Sequence, residues 1–190
     1  FDTIAALPAV FYEEHLPAIN VFLQRLQTGG KTVEINSWDA WQLVRLTGLS
    51  FEAGPGLAVL NAAAARHLRQ LGCQSVAVSS EIDQSQLENL SAAADTPLNV
   101  TVFGHPALMA TRAELPHGFS ETEAAVLTDS RGVSLRPTRE GAVTALRPVQ
   151  PFDWRHLRNA RVKATHLVVD LAGAAAPPDL APPAAAAPFL

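Results

Sequence analysis

The stretch from Thr32 to Ser79, TVEINSWDAWQLVRLTGLSFEAGPGLAVLNAAAARHLRQLGCQSVAVS, decides the fold. Three short runs in it, residues 32–36 (TVEIN), 50–53 (SFEA) and 75–79 (SVAVS), are rich in β-branched or apolar residues and read as strands. Helical spacing fills the gaps. Residues 38–46 place Trp38, Trp41 and Val44 or Leu43 together, with Ser37 as N-cap and Gly48 past the end. Residues 62–71 are Ala-rich and stop at Gly72.

The same alternation extends in both directions. Residues 7–12 (LPAVFY) read as an earlier strand. Residues 15–26 set Leu16, Ile19, Phe22, Leu23 and Leu26 on one helical stripe that Gly29-Gly30 ends. Downstream, residues 84–93 form a helix capped by Asp83, and residues 99–103 (NVTVF) a fifth strand. Strand–helix repeats of about 22–25 residues require parallel neighbours with right-handed crossovers, and this spacing suits a barrel wall. The fold class is therefore α/β, with parallel β/α repeats. No G-x-G-x-x-G follows the first strand, so a dinucleotide-binding fold is disfavoured.

After Phe103 the rhythm breaks. Residues 125–129 and 133–136 flank Ser130-Arg131-Gly132 as a hairpin, and residues 142–146 add a third strand. Residues 152–158 are expected as a helix, and residues 166–170 (HLVVD) as a last strand. From Ala172 onward the Ala/Pro-rich sequence reads as a tail or linker.

Composition narrows the function. A content of 48% hydrophobic residues fills a core and excludes a disordered chain. A formal charge of −4 argues against broad nucleic-acid binding, which needs a strong basic field. The one cysteine, Cys73, supplies neither an internal disulfide nor a thiolate-rich metal site, and a reducing, cytoplasmic compartment is the simpler expectation. With no apolar run of about 18 residues, no membrane span is expected. The six histidines show no metal-ligand spacing, and no cofactor is expected.

Function in parallel β/α folds collects where strands end. Those ends carry Glu13, Glu14 and His15; Asn36 and Trp38; Asn61; Ser79, Ser80 and Glu81; His105, Met109 and Arg112; and Asp170. Glu13-Glu14-His15 suits acid/base work or metal ligation, or else a solvated helix start. Ser79 or Ser80 suits a nucleophile, but no base is nearby in sequence; capping of the next helix is the alternative. His105 opens a Gly-His-Pro turn, and Arg112 suits a carboxylate or phosphate, or pins the loop. Cys73 sits at the opposite, helix-to-strand end and reads as a small buried hydrophobe.

A larger pattern joins these residues. Gly54, Leu60 and Asn61; Gly72, Ser79 and Glu81; Gly104, Leu108, Met109 and Arg112; and Leu127, Asp129, Arg131 and Gly132 occur in the order and spacing of four motifs of one family. Over roughly residues 7–171 the chain resembles collagenase-like peptidase family U-thirty-two. The resemblance implies a TIM-type barrel, of which residues 1–171 would form the C-terminal part, with a small β-rich insertion near residues 106–150. It also implies hydrolase (protease) activity on a peptide or protein, or, as in some relatives, help with hydroxylation of RNA bases or quinone precursors using a four-cysteine iron–sulfur cluster.

The chain departs from that pattern where cluster chemistry would lie. Ala113 stands where the family has cysteine, and His105 where it has arginine. Two expectations result. One is an enzyme fragment using Glu81, His105 and Arg112 as catalytic residues, with Asn61, Ser79 and Met109 binding substrate and an upstream part of the same polypeptide completing the site. The other is a degenerate segment that binds or supports a partner. An incomplete barrel wall should expose two strand edges and the apolar face meant for the barrel centre, so a homo-oligomer is expected.

Overall fold

The computed structural model describes residues 4–113, 126–140, 143–155 and 162–171. The chain divides into two compact units. The first runs up to Val100 and takes back the stretch ending at Leu167; the second starts at Thr101 and resumes at Val168.

The first unit is a parallel α/β sheet. Strands β1 (Ala5–Ala6), β2 (Val33–Ile35), β3 (Phe51–Ala53), β4 (Val76–Ala77) and β5 (Leu98–Gly104, which continues into the second unit) lie side by side in chain order, all parallel. Helices α1 (Leu16–Thr28), α2 (Trp38–Val44), α3 (Ala62–Gln70) and α4 (Gln84–Ala93) connect them. Strictly sequential order with right-handed crossovers puts all four helices on one face. Three of the four helix starts carry a side-chain cap: Ser37, Asn61 and Asp83 accept hydrogen bonds from the N–H groups of Ala40, Ala64 and Gln86. Ile19 and Leu23 of α1, Ala40 and Val44 of α2, Ala65 and Leu68 of α3 and Leu87 and Leu90 of α4 are buried, as are Val33, Ile35, Phe51, Ala53, Val76, Leu98 and Val100 of the strands. Phe22, although on the expected stripe, is 37% exposed.

The first strand lies earlier than expected. It is Ala5–Ala6, extended by one bond from Leu7 N–H to the Glu34 carbonyl, and residues 8–12 form no strand. Pro8 has no N–H to continue the ladder. Strand β11 (His166–Val169) joins β5 on the side away from β4: the Pro97 and Asn99 carbonyls accept from β4, while the Leu98 carbonyl accepts from Thr165.

The second unit holds an antiparallel sheet of β6 (Met109–Thr111), β9 (Val143–Pro148), β8 (Ser134–Glu140) and β7 (Leu127–Thr128), in that order. The expected hairpin is present, its turn fixed by the Asp129 carboxylate, which accepts from Arg131 N–H and Val133 N–H. The expected helix at residues 152–158 begins instead as strand β10 (Phe152–Asp153), antiparallel to the end of β5; residues 156–158 lie outside the described residues. The Asp153 carboxylate accepts from the backbone N–H and the guanidinium of Arg155. No helix among the described residues is long and apolar enough to cross a membrane.

The face of the parallel sheet turned from the helices

Strand residues alternate between two faces, and register partners share one. On β2 and β3 the residues between the buried positions are Glu34 and Glu52, which are Cα partners. On β4 and β5 they are Ala77 and Asn99, also partners. The face turned from the helices therefore carries Glu34, Glu52, Ser75 and Asn99 together with the small Ala6 and Ala77, and its larger side chains there are polar. This differs from the expected exposed apolar inner face: Val33, Ile35, Val76 and Leu98 alternate with these residues and are buried.

At one end of this face Asn36 works as a latch. Its amide donates to the Leu7 carbonyl at 3.1 Å and to Glu34 Oε1 at 2.8 Å, while its Oδ1 accepts from Gly56 N–H at 3.1 Å. One side chain thus ties β1, β2 and the turn after β3. The Gly54-Pro55-Gly56 sequence of that turn leaves room for it: a Cβ on Gly54 would lie 2.6 Å from Glu34 Oε1, and one on Gly56 would run into the Asn36 carbonyl.

At the other end a chain of polar groups runs from interior to surface. Asn99 Nδ2 donates to the Oγ of buried Ser75 at 2.9 Å, and Asn99 Oδ1 lies 3.0 Å from Nδ1 of exposed His166. Because Oδ1 can only accept, Nδ1 of His166 carries the hydrogen in this contact, and in the neutral ring the lone pair is then on Nε2. Thr165 holds the imidazole in place through a double clamp, its N–H donating to the Leu98 carbonyl at 2.7 Å and its Oγ1 accepting from Leu98 N–H at 3.2 Å.

The residues singled out from sequence fall as follows. Glu81 is exposed in the first unit, its N–H held by Ser79 Oγ; His105 and Arg112 belong to the second unit. His105 Nδ1 lies 2.8 Å from the Pro148 carbonyl, and its own carbonyl accepts from Arg147. Arg112 and Met109 are exposed. Asn61 caps α3, Ser79 is buried and Ser80 exposed. Glu13, Glu14 and His15 form an exposed 3-10 turn, with His15 Nδ1 accepting from Tyr12 N–H. Trp38 is half exposed and packs edge-on to Trp41. Asp170 donates its N–H to the Phe103 carbonyl, and its carboxylate lies 3.8 Å from Arg147.

Cys73 is fully buried, its thiol donating to the Ser75 carbonyl; burial pushes its pKa up to about 11, which keeps it a neutral thiol. Among the described residues no group of three or more His, Cys, Asp or Glu is arranged to hold a metal ion. Comparison with protein-family models, curated proteins and solved structures finds no match.

Sequence reasoning passed over Glu34, Glu52, Ser75, Asn99 and His166 as functional residues. Their signal was the alternation V-E-I and F-E-A inside strands whose parallel pairing ordinarily gives continuous apolar runs.

Proposed function

We propose that the polar face of the parallel sheet is the working surface of a peptidase-like β/α barrel of TIM type, of which this chain contributes a C-terminal part. His166 serves as proton acceptor, Asn99 orients it, and Glu34 with Glu52 forms an acidic subsite. The observation that carries this reading is the Ser75–Asn99–His166 chain, which leaves Nε2 of an exposed imidazole as a base. An imidazole nitrogen with a lone pair suits activation of water or of a hydroxyl.

The spacing supports an extended substrate. Three interstrand steps of about 4.8 Å separate β3 from β11, roughly 14 Å along the sheet, or about four residues of extended peptide. A peptide lying across the strands with a basic side chain toward Glu34 and Glu52 would place a backbone carbonyl near His166. Glu81, of the same unit, enters this reading as a rim residue rather than as its centre, and His105 and Arg112, which belong to the second unit, are not part of it.

Turnover of internally quenched peptides carrying Lys or Arg, including Gly-Pro-rich collagen-type sequences, is the test. Cleavage should fall by about 10²-fold or more in His166→Gln. In Asn99→Leu it should fall less, with a displaced lower limb of the pH profile. Turnover that is absent, or unchanged in His166→Gln, sinks the reading. A second reading, a binding segment without chemistry, is favoured by Ala113 at the family's cysteine position, and it would then stand.

A further inference from the structure

From the second unit we infer a separate oxyanion-binding site centred on Arg136. In the β8–β9 ladder Arg136 is the Cα partner of Arg147, so two cations share one sheet face at paired positions. Like charges directly opposite destabilise a ladder unless each finds a counterion. Arg147 has its own: its Nε and Nη2 bond Glu140 Oε1 at 2.8 and 2.6 Å, and another guanidinium nitrogen donates to the His105 carbonyl. The acid nearest the other end of β8, Asp129, is taken by two backbone N–H groups of its turn.

Arg136 is left over. Its Nε is buried and has no hydrogen-bond partner, which is costly for a charged donor. The side chains around it suit an anion. Ser134 and Thr138, two residues away on either side along β8, share its face, and Thr128 of β7 is the partner of Ser134. Among the described residues none of these three hydroxyls has a protein partner. A guanidinium sharing its strand face with three hydroxyls, and with no ion-pair partner of its own among the described residues, suits a planar or tetrahedral oxyanion. The ligand is a carboxylate or a phosphate group, and the site shares no residue with the polar face of the parallel sheet.

The test is a titration of the 15N-labelled full chain, in which the Arg136 Nε–H signal is followed with inorganic phosphate and, separately, with acetate, at ionic strength held constant by chloride. A saturating shift with phosphate alone identifies a phosphate site, and one with acetate a carboxylate site. Arg136→Gln should abolish the saturation, and Arg136→Lys should weaken it about tenfold or more, since a point charge replaces the fork. A shift that fails to saturate, or that chloride reproduces, overturns the inference. If Arg136→Gln does not fold, Thr138→Val removes one hydroxyl without touching the charge and should weaken binding several-fold; unchanged affinity there counts equally against the site.

Discussion

Replacing Gly56 by alanine isolates one contact on which the acidic end of the polar face rests. The backbone of Gly56 is not in the left-handed region, so the substitution carries no conformational penalty of its own. The cost is steric: the new Cβ would lie 3.0 Å from both the carbonyl carbon and the Cβ of Asn36 and nearer still to its carbonyl oxygen. Backbone at the end of β2 cannot swing aside as a side-chain tip can. The turn must retreat instead, and Gly56 N–H then loses Asn36 Oδ1. Overpacking of this kind costs about 1–3 kcal/mol, and the lost hydrogen bond about 1 kcal/mol. The expected total is about 2–4 kcal/mol. The natural control is Gly48→Ala, where φ is +69° and no atom lies within 4 Å of the added carbon. Left-handed strain alone should cost about 1–2 kcal/mol there. Urea unfolding followed by tryptophan fluorescence measures both, and an unchanged m-value keeps the comparison valid. Gly54→Ala extends the test, because its Cβ meets the side chains of Asn36 and Glu34 rather than backbone. Adding Asn36→Ala should partly rescue Gly54→Ala but not Gly56→Ala, a difference that a double-mutant cycle reads directly. If Gly56→Ala costs no more than Gly48→Ala, or if Asn36→Ala rescues both alike, the latch is not what holds this turn.

Other substitutions probe the core, the caps and the thiol. Leu23→Ala, at 1% exposure, should cost about 2–5 kcal/mol, whereas Phe22→Ala on the open side of the same helix should cost under about 1 kcal/mol; equal losses would mean α1 is rotated from its described seat. Asn61→Ala should cost about 1 kcal/mol and Asn61→Asp should recover it, with peptide turnover tracking stability only; a turnover loss that Asp fails to recover would restore Asn61 as a binding residue. Cys73 has a folded-state pKa raised from 9.0 to about 11, so its contribution is complete below pH 9 and drains as pH rises toward 11. Between pH 8 and 10.5 the native chain should therefore lose up to about 2 kcal/mol more stability than Cys73→Ala, and identical pH slopes would refute the buried neutral thiol.

Much of the first unit was legible because local chemistry and global topology agree there. Ser37 and Asp83 mark helix starts, and each does cap the helix it was placed before, while Asn61, read as a substrate-binding residue, also caps its helix. The strands at residues 32–36, 50–53, 75–79 and 99–103 appear within a residue or two of their places. The failures have equally local causes. LPAVFY looks like a strand by composition, yet Pro8 cannot join a ladder, so pairing uses the plainer Ala5–Ala6 instead. Residues 152–158 look like a helix, yet they begin as the strand Phe152–Asp153. Long-range pairing with Gly104 and Phe103 then makes that segment a strand. No local pattern reveals such a partner some fifty residues away.

The candidate site was missed for a different reason, and the reason bears on association. The interior of a closed parallel barrel is ordinarily filled by layers of branched apolar side chains, and from that premise an incomplete wall must hide a greasy face against a second copy. Glu34, Glu52 and Asn99 occupy the layer positions instead. A carboxylate removed from water without a partner costs several kcal/mol. Glu34 has one neutral donor, Asn36, and Glu52 has no hydrogen-bond or ion-pair partner among the described residues. Covering this face with an identical copy would bring four carboxylates together and bury them, which is worse than leaving the face wet. The pressure to associate through these positions of the sheet face is therefore weakened. The same arithmetic favours a cationic occupant, since only opposite charge repays the desolvation of Glu52. Substituting Glu52 by Gln should accordingly weaken a Lys- or Arg-containing peptide more than a neutral one. A loss equal for both peptides would show that the carboxylate shapes the sheet and does not read the substrate's charge.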